Sequence, residues 1–238
     1  MFNLKSTALL ITVVLLAGCG AGSLTGSGNV VTQEEVFTKF DRLEVSHGFQ
    51  VEVKEGDSFS VVIRADDNLM DEVQVTKRGD SLSIGLKPGY SNGIIHGTLE
   101  ADVTMPELSG LDLSGGSHVT LDGFNVSNTL SADLSGGSHL KGEVEAADAV
   151  FEVSGGSWVT LSGSAGNLRV NASGGSYAEL GDLAVADANV DASGASHITV
   201  NPSGTLDADA SGASHVRYIG NPIMGTIDAD GTSSIKAE

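Results

Sequence analysis

From about residue 108 to the end, apolar and polar residues alternate in short bursts separated by a recurring tetrapeptide. Segments such as His118-Val119-Thr120-Leu121 have the period of two that places alternate side chains on opposite faces of a strand. Ser-Gly-Gly-Ser begins at Ser114, Ser135, Ser154 and Ser173, Ser-Gly-Ala-Ser at Ser193 and Ser211, and a degenerate copy at Asp230. These starts lie 21, 19, 19, 20, 18 and 19 residues apart. The alignment extends outside the tetrapeptide. The residue before it is Leu113, Leu134, Val153, Ala172, Ala192, Ala210 or Ala229, and the fifth position beyond its start is Val119, Leu140, Val159, Ala178, Ile198, Val216 or Ile235.

A unit of about 19 residues has no room for an amphipathic helix together with strands and turns. It holds two or three short strands, each with an apolar face that one unit cannot bury. Stacking the units buries that face continuously. In-register parallel stacking at about 4.8 Å places matching residues on top of one another. Glycine suits the bend because it reaches φ > 0 without strain. The pattern therefore predicts an all-β chain, a parallel β-helix (solenoid) with about 19 residues per coil. Propeller blades need about twice this period, and leucine-rich repeats a different consensus.

Before the repeat, strands are predicted over 43–53, 59–65, 73–77, 82–86 and 98–104, with turns at Gly56-Asp57 and Gly79-Asp80. Asp66–Asp71 is predicted as a short helical turn capped by Asp66 or Asp67. Glu44-Val45-Ser46, Gly48, Val51 and Val53 echo the repeat. This region is expected to form longer, irregular coils that cover the first edge of the solenoid. The expected organisation is a signal peptide over 1–18, a flexible Gly/Ser tether over 19–35, an irregular β region over 36–107 and the repetitive solenoid over 108–238.

The N-terminus sets the compartment. Lys5 precedes the apolar stretch Ala8–Leu16, which is too short to span a bilayer stably. It ends in Leu16-Ala17-Gly18-Cys19, which resembles the lipobox of bacterial lipoproteins. That resemblance implies cleavage before Cys19, acylation of its thiol and a lipid-anchored protein of the cell envelope. Gly20 favours the outer membrane. Cys19 is the single cysteine, so no internal disulfide can form. The formal net charge of −19 argues against nucleic acid as a partner.

Phe40-Asp41-Arg42-Leu43-Glu44-Val45-Ser46, Val51-Glu52-Val53, Gly56-Asp57, Val61 through Asp67-Asn68-Leu69, Leu82-Ser83-Ile84 and the Ser-Gly-Gly-Ser ladder together resemble the DUF2807 family, the head (GIN) domain of autotransporter adhesins. The resemblance covers residues 36–238. It implies a right-handed β-helix, an envelope location and an adhesin role. It carries over no catalytic residue and no cofactor.

Two columns are candidate sites. An acidic ladder runs through Asp112, Asp133, Glu152, Asp191, Asp209 and Asp228, with Asn171 interrupting it. It is either a run of cation-bridged carboxylates or a solvated edge whose acids accept backbone hydrogen bonds. A ring stripe follows the turns: His118, His139, Trp158, Tyr177, His197 and His215. It is either a ligand face for a glycan or protein, with adjacent histidines able to pair around zinc, or a stack that only stabilises the coils. The second serines of the turns are expected to form an internal hydrogen-bonded ladder. The expected function is a non-enzymatic adhesin or scaffold. The alternative is a polysaccharide-binding or polysaccharide-processing β-helix protein. The open edge of the last coil is a candidate surface for homo-oligomers.

Overall fold

The computed structural model describes residues 24–90 and 94–238. Signal peptide, lipobox and Cys19 lie outside the described residues. The chain is almost wholly β and forms a parallel solenoid of about seven turns spaced about 20 residues apart. Long bent strands, His118–Leu134, His139–Val153, Trp158–Ala172 and Tyr177–Ala192, pair with one another in parallel. Their register matches the sequence columns: Leu134 lies opposite Val153, and Val153 opposite Ala172.

Inward positions form one continuous core. Column size falls along the stack, from Ile84, Val45, Leu113, Leu134 and Val153 to Ala172, Ala192 and Ala210, all buried. The core narrows towards the C-terminal coils because its stacked side chains shrink. Three phenylalanines, Phe49, Phe124 and Phe151, fill the wider part.

The first edge is built out of chain order. Strands Arg42–Val45 and Gln50–Glu55 form a coil in register with Gly110–Leu113 and the start of the 118–134 strand. Strands Ser81–Leu86 and Leu99–Met105 stack in parallel on the opposite side of that coil. Antiparallel strands then close the stack. Val73–Arg78 pairs with 81–86, Ser60–Asp66 with 99–105, and Val30–Glu35 with 60–66. The switch to antiparallel pairing ends the parallel ladder and covers its hydrogen-bonding edge.

The structure corrects the tether. Residues 24–35, expected as part of a flexible segment through 35, are held in the cap. Leu24–Thr25 pairs with Ile94–His96. The carboxylate of Asp66, only 2% exposed, accepts hydrogen bonds from the Gly28 and Thr98 amides, each at 2.7 Å. Ser27 donates its amide to Asn68 Oδ1 at 2.9 Å and its hydroxyl to Asp67 Oδ1 at 2.5 Å. Glycine at 26 reflects close approach, since a Cβ there would lie 2.0 Å from Asp66 Oδ2. Asp66 precedes the helical turn Asp67–Met70, but its side chain makes no capping bond, being engaged by Gly28 and Thr98 instead.

The far edge is different. Ile223–Ala229 is exposed along its whole length, with Ile223 at 71%, Met224 at 43% and Ile227 at 39%. Met224 and Ile227 occupy positions that the preceding coil buries as Leu206 and Ala208.

Candidate functional site: the ring column and the groove beside the cap

Strict register brings the candidate residues into columns. Asp112, Asp133, Glu152, Asn171, Asp191, Asp209 and Asp228 are cross-strand neighbours in that order, and Glu44 extends the column beyond Asp112. Burial, then the charges of Asp133 and Glu44, push the Asp112 carboxyl above its ordinary value. Asn171 relieves the run by donating Nδ2–H to Glu152 Oε1 at 2.5 Å. Among the described residues, no three His, Cys, Asp or Glu side chains converge in a way that could hold a metal ion. Stacked carboxylates on successive strands point side by side rather than towards a common centre.

The turns explain themselves locally. Each second serine from Ser117 to Ser214 is fully buried. The serines do not bond hydroxyl to hydroxyl. Instead, Ser117, Ser138, Ser176 and Ser214 donate Oγ–H to the carbonyl three residues back, at 2.7–2.8 Å. Ser176 and Ser214 also reach a carbonyl of the preceding coil, Val153 at 3.0 Å and Ala192 at 2.9 Å. The hydroxyls therefore close the turns and tie successive coils together.

The ring residues emerge immediately after these turns, so the turn fixes their direction. His118, His139, Trp158, Tyr177, His197 and His215 are consecutive partners, with Gln50 before them and Ser234 after. Ring centroids are 4.5, 5.5, 4.6, 4.9 and 5.1 Å apart along the column. Most pairs lie at shallow angles, His118–His139 at 13° and Tyr177–His197 at 10°. The ring faces are therefore turned to one another, and the column presents mainly ring edges to water. Burial, then His118, lowers the His139 pKa. His139 Nδ1 and His197 Nδ1 are buried without a hydrogen-bond partner, whereas His215 Nδ1 lies 2.9 Å from Ser234 Oγ.

At its cap-side end the column opens into a groove of about 540 Å³. The described rings that line it are His118, His139 and Trp158, not the whole stripe. Sequence reasoning did not single out the remaining wall residues. Arg64, on the antiparallel cap strand, donates Nε–H to Glu100 at 3.0 Å and pairs with Asp102 through Nη1 and Nη2. Those bonds, Asp102 first, raise the Arg64 pKa and keep the guanidinium charged. Gln50, Glu52, Thr120, Lys141 and Thr160 complete the polar lining. The signal that could have located this wall is the pair of acids Glu100 and Asp102, two apart on one strand face, opposite a lone arginine on a neighbouring strand.

The fold is a β-solenoid with an outward groove beside its ring column. The chain belongs to the DUF2807 family, described as "Putative auto-transporter adhesin, head GIN domain", which matches residues 39–222. No curated protein matches the sequence. A solved structure of a "putative adhesin" from Bacteroides fragilis superposes with a TM-score of 0.82 at 18% identity, covering 91% of this chain and 100% of that one. A "putative adhesin" from Parabacteroides merdae gives 0.70 at 16% identity, covering 91% and 99%. A "putative lipid binding protein" from Parabacteroides distasonis gives 0.69 at 20% identity, covering 91% and 100%. At these identities the likeness establishes the shared fold.

Proposed function

We propose that this chain is a lipid-anchored module of the bacterial cell envelope that binds a ligand on its outward solenoid face, an adhesin-type role without catalysis. The groove beside the ring column carries the reading: a concavity of about 540 Å³ lined by rings, carboxylates and cations on paired strands. Its size falls in the usual range for ligand sites. Glu100 and Asp102 are committed as acceptors to Arg64. Glu52, the remaining carboxylate of the lining, lies 3.6 Å from the ammonium of Lys54, so each groove carboxylate faces a cation, which favours binding over polysaccharide processing.

The cap orients the module. Residues 24–35 belong to the capped end, and the five Cα-to-Cα steps from Cys19 to Leu24 reach at most ~18 Å. Acylation of Cys19 would therefore hold the capped end against the outer membrane and direct the later coils away from it. The exposed edge strand 223–229 offers self-complementary pairing about a two-fold axis, which supports homo-oligomers. Light scattering that finds only monomer at all concentrations argues against that second contact.

The main test compares cells producing the chain with cells producing Cys19→Ala. Labelling with an alkyne fatty acid, membrane fractionation and adhesion to immobilised glycans and matrix proteins are measured. The expected result is labelling, membrane retention and adhesion that all depend on Cys19. Equal adhesion by cells lacking the chain would overturn the role.

A further inference from the structure

The groove's relief follows from side-chain height on a flat sheet. Between Glu100 and Trp158 lie the outward side chains of Gln50, His118 and His139, the two imidazoles shorter than the indole. Trp158 forms one wall, because an indole overhangs the imidazole of His139 on the preceding strand. Their centroids show the widest spacing in the column, 5.5 Å, at an interplanar angle of 29°. Trp158 is 41% exposed and lines the groove, whereas Tyr177 on its other side does not. Arg64 and Glu100 form the other wall. Four strand spacings separate Glu100 from Trp158, about 19 Å, enough for a short oligosaccharide segment.

The charges narrow the ligand class. Arg64 is balanced by Glu100 and Asp102. Lys141 stands between Thr120 and Thr160 in the adjacent outward column, and Glu52 lies across from it on the same face. A polyanion meets Glu52, Glu100 and a chain of net charge −19. A polycation meets Lys141, which among the described residues pairs with no carboxylate. A neutral polyhydroxylated ligand meets donors and acceptors of both kinds, since each sugar hydroxyl both donates and accepts. The indole, 41% exposed at the groove, supplies an apolar surface for the C–H groups of a pyranose ring.

We infer that the groove between Arg64 and Trp158 is a subsite for a neutral oligosaccharide, with Trp158 as its platform and Lys141, Glu52 and Gln50 as its polar contacts. This rests on the adhesin-type reading and names its ligand class. The remainder of the ring column, from Tyr177 onward, is structural stacking and lies outside the subsite.

Trp158 is the one tryptophan of the chain, so its fluorescence reports on this wall alone. The experiment titrates the full chain, in a detergent without a sugar headgroup, with cellotriose, mannotriose and N,N′,N″-triacetylchitotriose. Trigalacturonate and chitosan trimer serve as the charged comparisons. At least one neutral trisaccharide is expected to shift Trp158 emission saturably, with affinity at least tenfold above both charged trimers. By calorimetry, Trp158→Ala and Lys141→Ala should each weaken that binding tenfold or more, and His215→Ala should leave it unchanged. A charged trimer binding best overturns the inference, as does calorimetric binding that survives Trp158→Ala, or no response to any neutral trisaccharide. If adhesion of cells still depends on the chain in those cases, the adhesin-type role stands and only the ligand assignment falls.

Discussion

Two glycines at equivalent places in successive turns should respond oppositely to the same substitution. In the turns 114–117, 135–138 and 154–157 both glycines have positive φ, for instance 63° at Gly155 and 79° at Gly156. From turn 173–176 onward only the first does, 73° at Gly174, 72° at Gly194 and 73° at Gly212. In the later turns the third residue instead turns its amide to the coil before: Ala195 donates to the Gly174 carbonyl and Ala213 to that of Gly194, both at 2.7 Å. Gly175 precedes the sequence change to Gly-Ala but, like Ala195 and Ala213, already lacks a positive φ. An added Cβ meets nothing within 4 Å at either Gly156 or Gly175, so packing does not separate them. Both substitutions to alanine restrict the unfolded chain equally, worth about 0.4–1 kcal/mol of stability. Only Gly156→Ala also places a Cβ in the left-handed region, at about 1–2 kcal/mol. The difference between the two variants isolates that backbone cost. Gly175→Ala is expected to raise the melting temperature and Gly156→Ala to lower it. For a chain of this size the gap is about 2–8 °C, taking roughly 2–4 °C per kcal/mol. Calorimetry of both variants beside the parent protein measures it. Shifts of the same sign and size would refute the claim that turn geometry changes at Gly174.

The same logic predicts other outcomes. His47 has φ 63°, against 62° for Gly115 at the equivalent place in the next coil, and its Nδ1 lies 2.7 Å from Ser46 Oγ. His47→Gly should stabilise by up to ~1 kcal/mol, less the worth of that bond, read as a higher urea midpoint. A Cβ on Gly142 would sit 2.2 Å from the Leu121 carbonyl oxygen. Gly142→Ala should therefore lose about 1–3 kcal/mol and lower the midpoint. Asp112 titrates above its ordinary value, so the stability it contributes is present below that value and lost as pH rises through the raised folded one. Asp112→Asn should raise the melting temperature at pH 7, by about 1 kcal/mol or less. Each neighbouring carboxylate at ~5 Å repels by about 0.8 kcal/mol in water before salt screening. The advantage should shrink near pH 3.5, and an unchanged gap there would count against the ladder as the cause.

Much of the solenoid was legible because parallel register copies a sequence column into a spatial one. Leu113, Leu134 and Val153 could be set one above another from spacing alone, and so could the acids and the rings. The turn at Ser46-His47-Gly48-Phe49 was half hidden, because a histidine fills a left-handed position that other coils give to glycine. The cap was hidden for a topological reason. Residues 81–105 stack outside residues 42–55, which precede them in the chain, and the repeat carries no record of that inversion. Gly26 and Ser27 read as tether because composition cannot distinguish glycine that frees a chain from glycine that permits close approach to Asp66.

The same topology explains why the groove was not legible while its rings were. A solenoid made only of equivalent coils has a translationally uniform face, and a uniform face has ridges but no bounded site. A bounded site needs something that breaks the repeat. Here two departures do so, about four strands apart. One is the cap strand 60–66, which brings Arg64 to Glu100 and Asp102. The other is Trp158, a tall ring in a column that begins with two imidazoles. Either alone would leave the groove open at one end. Ring stacking of the kind seen from Tyr177 to His215 can be replaced by other stacking side chains without creating or closing a pocket. The residues that break the periodicity, rather than those that keep it, therefore define the groove.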